Sequence, residues 1–531
     1  MTTLAQSVRA FAFQLLGDWQ LPWAVRMHRR GQLAQARRVY RRILARIPRH
    51  FSVLQLMGLL ELKRMRYSRA LQWLERAREI KPEDPILLGH LGCAYLGQRR
   101  FAEAEHWIQK ARALRPDDVS ICINLGQVYL HAGRLEAALA CYQEAQGLAP
   151  QHPRPLVAQG WALRDMRRID EATQIFRDLI ARFPGQGQWL TDLLPLLVMS
   201  GKHPEAFALL RERGMAAHFD GLIPPPDRRL RAFGKPRWQP GVPLGGLTLL
   251  VHTEAGFGDA LQGLRMALVM ADRGAQVVLE VWPALQRLLH ALDTRITVVA
   301  RGSSLPPYDL HVDLEHLPFL LEMAPDQMPP PPPLVLPAPG VAAWAARLGQ
   351  RDGRLRVGFA CTGNPRHGRD MDRSMRLAHF LNAMPQGVDL VCLQRVIRPQ
   401  DTGAFALRPE VRVFGEQLAD FADTAALIEN LDLVISVDTG VAHLAASLGK
   451  PTWIMVSYIP DPRWMLDRDD SPWYPSVRLY RQGPEARWGP VLKRVAADVS
   501  ARAQVPRALL EGHSTEAMAV TMSATEAQSC Q

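Results

Sequence analysis

A proline recurs every 34 residues through the first third of the chain, and a glycine and an alanine recur with the same period. Such a period predicts a stack of similar helical pairs, because a single pair cannot bury its apolar face alone. The recurring positions are Pro48, Pro82, Pro116, Pro150 and Pro184, with Gly58, Gly92, Gly126 and Gly160, and with Ala36, Ala70, Ala104, Ala138 and Ala172.

The small residues of each repeat predict where its two helices touch. In the clearest repeat, Gly92 and Tyr95 are followed by Ala104, Ile108 and Pro116. We expect the glycine to let the first helix approach the second at the level of the alanine, and the proline to end the second helix. The pattern resembles the tetratricopeptide repeat. That resemblance implies a curved solenoid that binds peptides, packs on neighbouring domains or acts as a structural spacer.

Basic charge is concentrated at the N-terminus. The first 100 residues hold 19 Lys and Arg against six Asp and Glu, whereas the whole chain carries a net charge of +12. Such a face could attract acidic proteins, nucleic acid or anionic lipid headgroups, or could be a solvated helical surface. No aromatic-interleaved motif accompanies it, so we expect no nucleic-acid partner and leave peripheral membrane contact open. The arginines of the acid-free stretch 21–50 are Arg26, Arg29, Arg30, Arg37, Arg38, Arg41, Arg42, Arg46 and Arg49.

The composition is that of a soluble globular protein, with 47% hydrophobic and 22% charged residues. No apolar run approaches the ~20 residues that span a bilayer, and the first 19 residues lack a signal-peptide cleavage pattern. We therefore expect a cytoplasmic protein. The six cysteines are scattered without metal-ligand spacing, so we predict neither a structural metal nor a bound cofactor.

Alternating strands and helices replace the repeats in the second half of the chain. The predicted strands are 247–252, 276–281, 296–299, 356–361, 389–393, 432–437 and 451–456. This alternation is typical of parallel, doubly wound sheets, so the predicted fold class is an α-solenoid followed by two Rossmann-like α/β lobes. The predicted division is an N-terminal segment 1–16, a solenoid 17–220, a proline-rich linker 221–246, a first lobe 247–327, a proline-rich interlobe linker 328–340, a second lobe 341–506 and a disordered tail 507–531.

The sharpest candidate site follows the predicted strand 432–437. Asp438, Thr439 and Gly440 come at its carboxyl end, and His443 lies one helical turn further on. Ligands of open α/β sheets bind at such ends, and the free N–H groups of the following helix suit a diphosphate. Gly440 would leave room for it, and Asp438 could accept hydrogen bonds from sugar hydroxyls or could merely cap the helix.

The first lobe has a counterpart after its first strand, formed by Glu254, Gly256, Gly258 and Asp259. We expect the two glycines to permit a tight turn with positive φ. Glu254 and Asp259 would then face the cleft between the lobes, where a carboxylate could take a proton from an acceptor hydroxyl. Capping of the following helix is the competing role for Asp259.

A third motif is the glycine- and arginine-rich loop 362–374. Its cationic side chains could neutralise a leaving diphosphate without a metal ion, or could simply belong to a basic surface loop. The candidates for the donor site in this loop are Asn364, Arg366, His367 and Arg373.

Together with the segment 467–475, these motifs resemble bacterial tetratricopeptide-linked glycosyltransferases whose catalytic half is similar to lipopolysaccharide heptosyltransferases. The resemblance implies a GT-B fold with the active site between its two lobes, and metal-independent inverting transfer. It also implies that Thr439 and Gly440 hold the donor diphosphate, that Asp438 holds the sugar, that His443 supports the loop and that Asp259 is the base.

One departure from the family concerns the loop after the first strand of the second lobe. Heptosyltransferases have a lysine there, where this chain offers Asn364, Arg366 and His367.

The motifs and the resemblance together predict a glycosyltransferase that moves a sugar from a nucleotide-diphosphate donor to a hydroxyl of a protein or a surface-polysaccharide precursor presented by the solenoid. The alternative is a tetratricopeptide interaction scaffold with an inactive GT-B module.

Overall fold

The computed structural model describes residues 20–184, 187–212, 233–365 and 367–505. The predicted segment 1–16, the first part of the linker 221–246, Arg366 and the predicted tail 507–531 lie outside these ranges. The chain forms two compact units, one up to Leu196 and one from Leu197 onward. None of the helices in the described ranges combines the length and the apolar character needed to span a bilayer.

The first unit is a series of helical pairs, as the 34-residue period predicts. Its helices are α1 (Gln20–Arg29), α2 (Leu33–Arg46), α3 (Phe51–Lys63), α4 (Tyr67–Arg78), α5 (Pro85–Gly97), α6 (Phe101–Leu114), α7 (Val119–His131), α8 (Leu135–Leu148), α9 (Pro153–Asp165) and α10 (Ile169–Arg182), and α11 (Gln188–Met199) reaches its boundary. The recurring prolines each follow the second helix of a pair by two to four residues, which confirms their role as helix terminators.

The recurring glycines make room for a large side chain on the partner helix. A Cβ atom at Gly92 would lie 2.2 Å from Cγ1 of Ile108, and one at Gly126 would lie 2.3 Å from Cε1 of Tyr142. The expectation that these glycines meet the recurring alanine was therefore incomplete, because the filling side chain comes four residues after that alanine. The same relation joins Gly58 to Leu74 and Gly160 to Phe176.

The second unit contains α12 (His203–Glu212) and two parallel sheets. The first sheet has the order β3-β2-β1-β4. Its strands are β1 (Thr248–His252), β2 (Gln276–Val281), β3 (Ile296–Ala300) and β4 (Leu310–Asp313), with helices α13 (Phe257–Asp272), α14 (Pro283–Leu289) and α15 (Leu317–Leu320).

The second sheet has the order β10-β9-β8-β5-β6-β7, and its neighbouring strands are again parallel. Its strands are β5 (Arg356–Ala360), β6 (Asp389–Cys392), β7 (Arg412–Val413), β8 (Leu433–Val437), β9 (Thr452–Val456) and β10 (Val477–Arg481). Its helices are α16 (Ala338–Leu348), α17 (Asp370–Arg373), α18 (Leu377–Ala383), α19 (Phe421–Glu429), α20 (Gly440–Ser447) and α21 (Trp488–Ala503). The predicted Rossmann-like lobes are thus confirmed, while β4, β7 and β10 had been missed because they are short or carry charged residues.

The strand order places the candidate loops at one kind of position. Successive strands are added to one side of β1 as far as β3, and β4 then pairs on its other side. In the second sheet, the same switch of side occurs between β5 and β8. The carboxyl ends of strands beside such a reversal form the crevice where open α/β sheets bind ligands. The loops after β1, β5 and β8 carry the three sequence motifs, so the topology puts all three motifs at these crevices.

The described parts of the two proline-rich stretches form neither a helix nor a strand before β1 and α16 begin, apart from an isolated bridge between Arg237 and His311. Before β1, the backbone N–H of Trp238 donates to the carbonyl of His311 in β4 at 2.8 Å, and the Trp238 side chain is buried. This part of the predicted linker is therefore an edge segment of the first lobe. Between the lobes, the chain has no regular structure from Met328 until α16 begins at Ala338.

Candidate functional site

Two helix N-termini, one from each lobe, meet at the candidate site. A Cβ atom on Gly258 of α13 would lie 2.6 Å from Cδ2 of His443 in α20. A Cβ atom on Gly440 would lie 3.2 Å from Cβ of Phe257. The absence of a side chain at both positions lets the two helix ends come together, and both ends carry the partial positive charge of a helix N-terminus.

Gly258 serves this close approach, and neither glycine of the first-lobe turn is needed for a special backbone conformation. Gly256 has a φ of −82°, and neither it nor Gly258 adopts a positive φ. The predicted left-handed turn is therefore wrong. Gly256 occupies the N-cap position of α13, where its N–H donates to Oδ2 of Asp259 at 2.8 Å.

Asp438 and His443 form a buried polar chain in the second lobe. Nε2 of His443 lies 3.5 Å from Oδ1 of Asp438, and its Nδ1 lies 3.0 Å from the hydroxyl of Tyr474. Burial favours the protonated form of Asp438, but the hydrogen bond from His443 and the nearby arginines outweigh it and lower the pKa of this carboxyl. Burial raises the pKa of Tyr474 to about 12. Asp438 is thus an anion held in a fixed orientation.

Thr439, and not Asp438, is the N-cap residue of α20. Its hydroxyl pairs with the Ser436 hydroxyl at 2.9 Å, and its side chain caps none of the helix N–H groups. The first N–H groups of a helix lack partners within the helix. The first turn of α20, at Gly440, therefore keeps the hydrogen-bonding capacity that an anion needs.

Asp259 is held from two directions. Its Oδ2 accepts the N–H of Gly256, and its Oδ1 accepts a hydrogen bond from Nη2 of Arg463, which follows β9 in the other lobe. Although burial alone would raise its pKa, the charge and hydrogen bond of Arg463 lower the pKa of Asp259 below its ordinary value. Helix capping and an interlobe ion pair thus both engage the predicted base.

The third motif supplies Arg373 to the same site. Nη1 of Arg373 donates to the carbonyl oxygen of Asp438 at 2.9 Å, and its guanidinium covers Gly363 so closely that a Cβ there would lie 2.7 Å from Nη2. Asn364 and His367 are exposed on the same loop. Partial desolvation of the imidazole and the charge of Arg373 lower the pKa of His367. Arg366 lies outside the described residues.

Glu254 has a different environment from Asp259. Its Oε2 accepts from Nη2 of Arg301 at 2.8 Å, and its Oε1 lies 3.6 Å from Nδ1 of His252. The Arg301 guanidinium in turn covers the ring of Trp282 at 4.5 Å from the ring centroid. Glu254 is therefore an ion-pair partner within its own lobe, and nothing in these contacts brings it to Asp259.

Sequence reasoning missed an acidic pair beside the turn. Asp313 ends β4, and Glu315 follows it in a short 3₁₀ segment, where it accepts a hydrogen bond from the Thr253 hydroxyl. Burial and the neighbouring Asp313 raise the pKa of Glu315 well above its ordinary value. The missed strand β4 hid this pair, because an acidic residue is recognisable as a site candidate only once the strand before it is assigned.

The aromatic side chains of the segment after β9 pack inside the second lobe. The side chains of Trp464 and Tyr474 are buried, and the Trp464 ring lies 5.3 Å from the imidazole of His443. The arginine beside them, Arg463, was missed because its partners Asp259 and Gln262 belong to the other lobe. Within the described ranges, no group of three or more His, Cys, Asp or Glu side chains is arranged to hold a metal ion.

Comparison with known proteins divides the chain in the same way. A tetratricopeptide repeat model matches residues 29–85 and 91–153, and a second one matches 156–185. The model of glycosyltransferase family 9 (heptosyltransferase) matches residues 391–454, which include the Asp438 to His443 motif. The chain thus carries tetratricopeptide repeats followed by a region that is similar to the heptosyltransferase family.

Individual relatives match only parts of the chain. Protein FlbA of Caulobacter vibrioides is 36% identical over 78 residues, which are 15% of this chain and 13% of that protein's length. Among solved structures, Pseudomonas aeruginosa PilF is 19% identical and covers 40% of this chain and 98% of its own, with a TM-score of 0.32. MamA from residue 41 to its end, from Desulfovibrio magneticus RS-1, is 19% identical and covers 33% and 96%, with a TM-score of 0.28.

Proposed function

We propose that the protein is a glycosyltransferase that moves a sugar from a nucleoside-diphosphate donor to a hydroxyl acceptor. The observation that carries this proposal is the meeting of two helix N-termini, one from each lobe, at Gly258 and Gly440. Converging helix dipoles and N–H groups favour a diphosphate at that place. The heptosyltransferase-family match over residues 391–454 supports the same reading, because it contains one of the two helix ends.

The donor would lie against the second lobe. The N–H groups of Thr439 and Gly440 would bind its diphosphate, and Asp438 would accept hydrogen bonds from the sugar. Arg373 already lies against the backbone of Asp438, so its charge is available to the diphosphate. Asn364, Arg366 and His367 of the same loop would also bind the donor.

The transfer would be an inverting displacement. An acceptor hydroxyl oxygen bonds to the anomeric carbon as the bond from that carbon to the diphosphate oxygen breaks, and the hydroxyl proton passes to Asp259. The nucleoside diphosphate leaves with the bonding electron pair. The N-terminus of α20 and the arginines would stabilise its charge, so the proposal includes no metal ion and no cofactor.

The tetratricopeptide repeats would serve acceptor recognition. Such repeats form extended surfaces that bind other chains. On α1 and α2 the exposed side chains include Arg26, Arg29, Arg38, Arg41 and Arg42, so an acidic acceptor protein or an anionic glycan precursor would be favoured by charge. We propose that this occurs in the cytoplasm.

A thermal-shift screen with UDP, GDP, ADP, CDP and their sugar conjugates tests the donor site. A nucleotide at about 100 times its dissociation constant should stabilise the fold by ~2.7 kcal/mol. Asp438→Asn keeps the shape of the side chain but removes its charge, and Asp470→Asn, at an exposed ion pair with Arg468, is the matched control. Stabilisation by one nucleotide sugar in the wild type and the control, with a reduced shift in Asp438→Asn because the acceptor of the sugar hydroxyls has lost its charge, supports the proposal. No shift with any nucleotide would refute it and favour the interaction scaffold.

A further inference from the structure

Arg463 joins the two lobes inside the candidate site. Its Nη1 donates to Oε1 of Gln262 at 2.8 Å, its Nε donates to Oδ1 of Asp461 at 2.8 Å, and its Nη2 donates to Asp259. Gln262 and Asp259 lie one turn apart on α13, whereas Arg463 and Asp461 lie in the loop after β9. The guanidinium therefore spans the boundary at the point where the predicted base is located.

The same guanidinium is electrostatically linked to the donor side. Although burial disfavours its charge, Asp461, Asp259 and Asp438 together raise the pKa of Arg463, so it is a permanent cation. Its neighbour Trp464 packs against His443, the side chain that holds Asp438. A diphosphate at the N-terminus of α20 would come close to this cation and would compete with Asp259 for it.

A second interlobe arginine shows what a purely structural contact looks like in this fold. Arg265 is 2% exposed, and its guanidinium donates to the carbonyl oxygens of Gln262, Pro329 and Trp473. Neutral carbonyls satisfy this cation, and no carboxylate is involved. Arg463 differs because its partners include two carboxylates and because its side chain is 19% exposed, so a ligand can reach it.

Asp259 cannot accept a proton efficiently while it holds Arg463. One carboxylate oxygen accepts a hydrogen bond from the N–H of Gly256, and the other accepts one from the guanidinium of Arg463. A general base works best when its proton affinity suits the working pH. A change in the partner of Arg463 is the step that would restore the basicity of Asp259.

We propose that Arg463 is a donor-diphosphate ligand shared with Asp259, so that binding of the diphosphate draws the guanidinium away and frees Asp259 to accept the acceptor's proton. This inference rests on the proposed function. It couples the two substrates, because the base becomes competent only when a donor is in place. Hydrolysis of the donor by water would be limited for the same reason.

Isothermal titration calorimetry on the full chain tests this exchange, with UDP, GDP, ADP and CDP as probes. Arg463→Gln should weaken nucleotide binding about tenfold or more, as loss of a charged hydrogen bond does. Asp259→Asn should strengthen binding several-fold, because the arginine no longer has to leave a carboxylate. Near pH 6, titrations in two buffers of different ionisation enthalpy should reveal more proton uptake on binding in the wild type than in Asp259→Asn, since the ionisation of the nucleotide's own phosphate is common to both.

Controls separate this exchange from a structural role. Arg287→Gln removes an exposed interlobe arginine, paired with Asp420 at 2.6 Å, and should leave binding unchanged. Arg463→Lys keeps the charge and serves if Arg463→Gln does not fold; it should bind more weakly than the wild type, since the planar fork is lost. Wild-type binding with unchanged or weaker binding in Asp259→Asn would overturn the exchange alone. Absence of nucleotide binding in the wild type would overturn the proposed function and this inference together.

Discussion

Replacement of Gly258 by alanine should separate the two helix N-termini. The new Cβ atom would lie 2.6 Å from Cδ2 of His443, about 0.8 Å inside an ordinary contact. The imidazole has little freedom to withdraw, because Tyr474 and Asp438 hold its two nitrogens. Overpacking of this kind costs ~1–3 kcal/mol, and the higher helix propensity of alanine returns up to ~1 kcal/mol. We expect a net loss of about 1–2 kcal/mol.

The assay is thermal unfolding with and without the nucleotide that binds the wild type. The expected loss lowers Tm by about 2–4 °C in a unit of this size, and displacement of the N-terminus of α20 with His443 should also weaken nucleotide binding about tenfold. Gly263→Ala is the matched control, because in the same helix its Cβ would meet Cγ of Leu314 at 2.8 Å. It should reduce Tm similarly without weakening nucleotide binding. Equal binding losses in both variants, or an unchanged Tm in Gly258→Ala, would refute the close approach as the reason for the glycine.

Two further predictions concern the repeats and the acidic pair. In α5, Gly89→Ala should stabilise the repeat by ~0.5–1 kcal/mol, because the new Cβ meets nothing within 4 Å. Gly92→Ala should destabilise the repeat by ~1–2 kcal/mol, because its Cβ would overlap Ile108. Hydrogen exchange of α5 and α6 measures both changes, and equal effects of the two substitutions would contradict the packing argument. Glu315 has a raised pKa, so its stabilising contribution is present at low pH and is lost as the pH rises through that pKa. Glu315→Gln, which cannot ionise, should therefore raise Tm relative to the wild type at pH 8 but not at pH 4.5, and an equal difference at both values would exclude ionisation as the cause.

Much of the fold could be predicted from the sequence because its signals are local. The 34-residue period required only the chain itself, since each helical pair of the solenoid repeats the same small residues and the same terminating proline. Predominantly apolar runs such as Leu433–Val437 identified the central strands of the parallel sheets. The glycines and polar residues after these strands marked the candidate loops for the same reason. Strand β4 was missed because its four residues, Leu310–Asp313, include His311 and Asp313 and show no apolar run.

The tertiary structure decided which of those residues meet. The sequence alone marked Gly258, Gly440 and Asp259 as site residues. It assigned Gly258 a positive φ, whereas in the folded protein the absence of a side chain at Gly258 allows the contact with His443. The partner of Asp259, Arg463, lies 204 residues further along the chain and in the other lobe. No local pattern encodes such a pair, because the distance between its atoms depends on how the two sheets and their helices pack. The sequence thus determined the elements and the chemistry that each loop carries, and only the packing of the lobes determined which charges face one another.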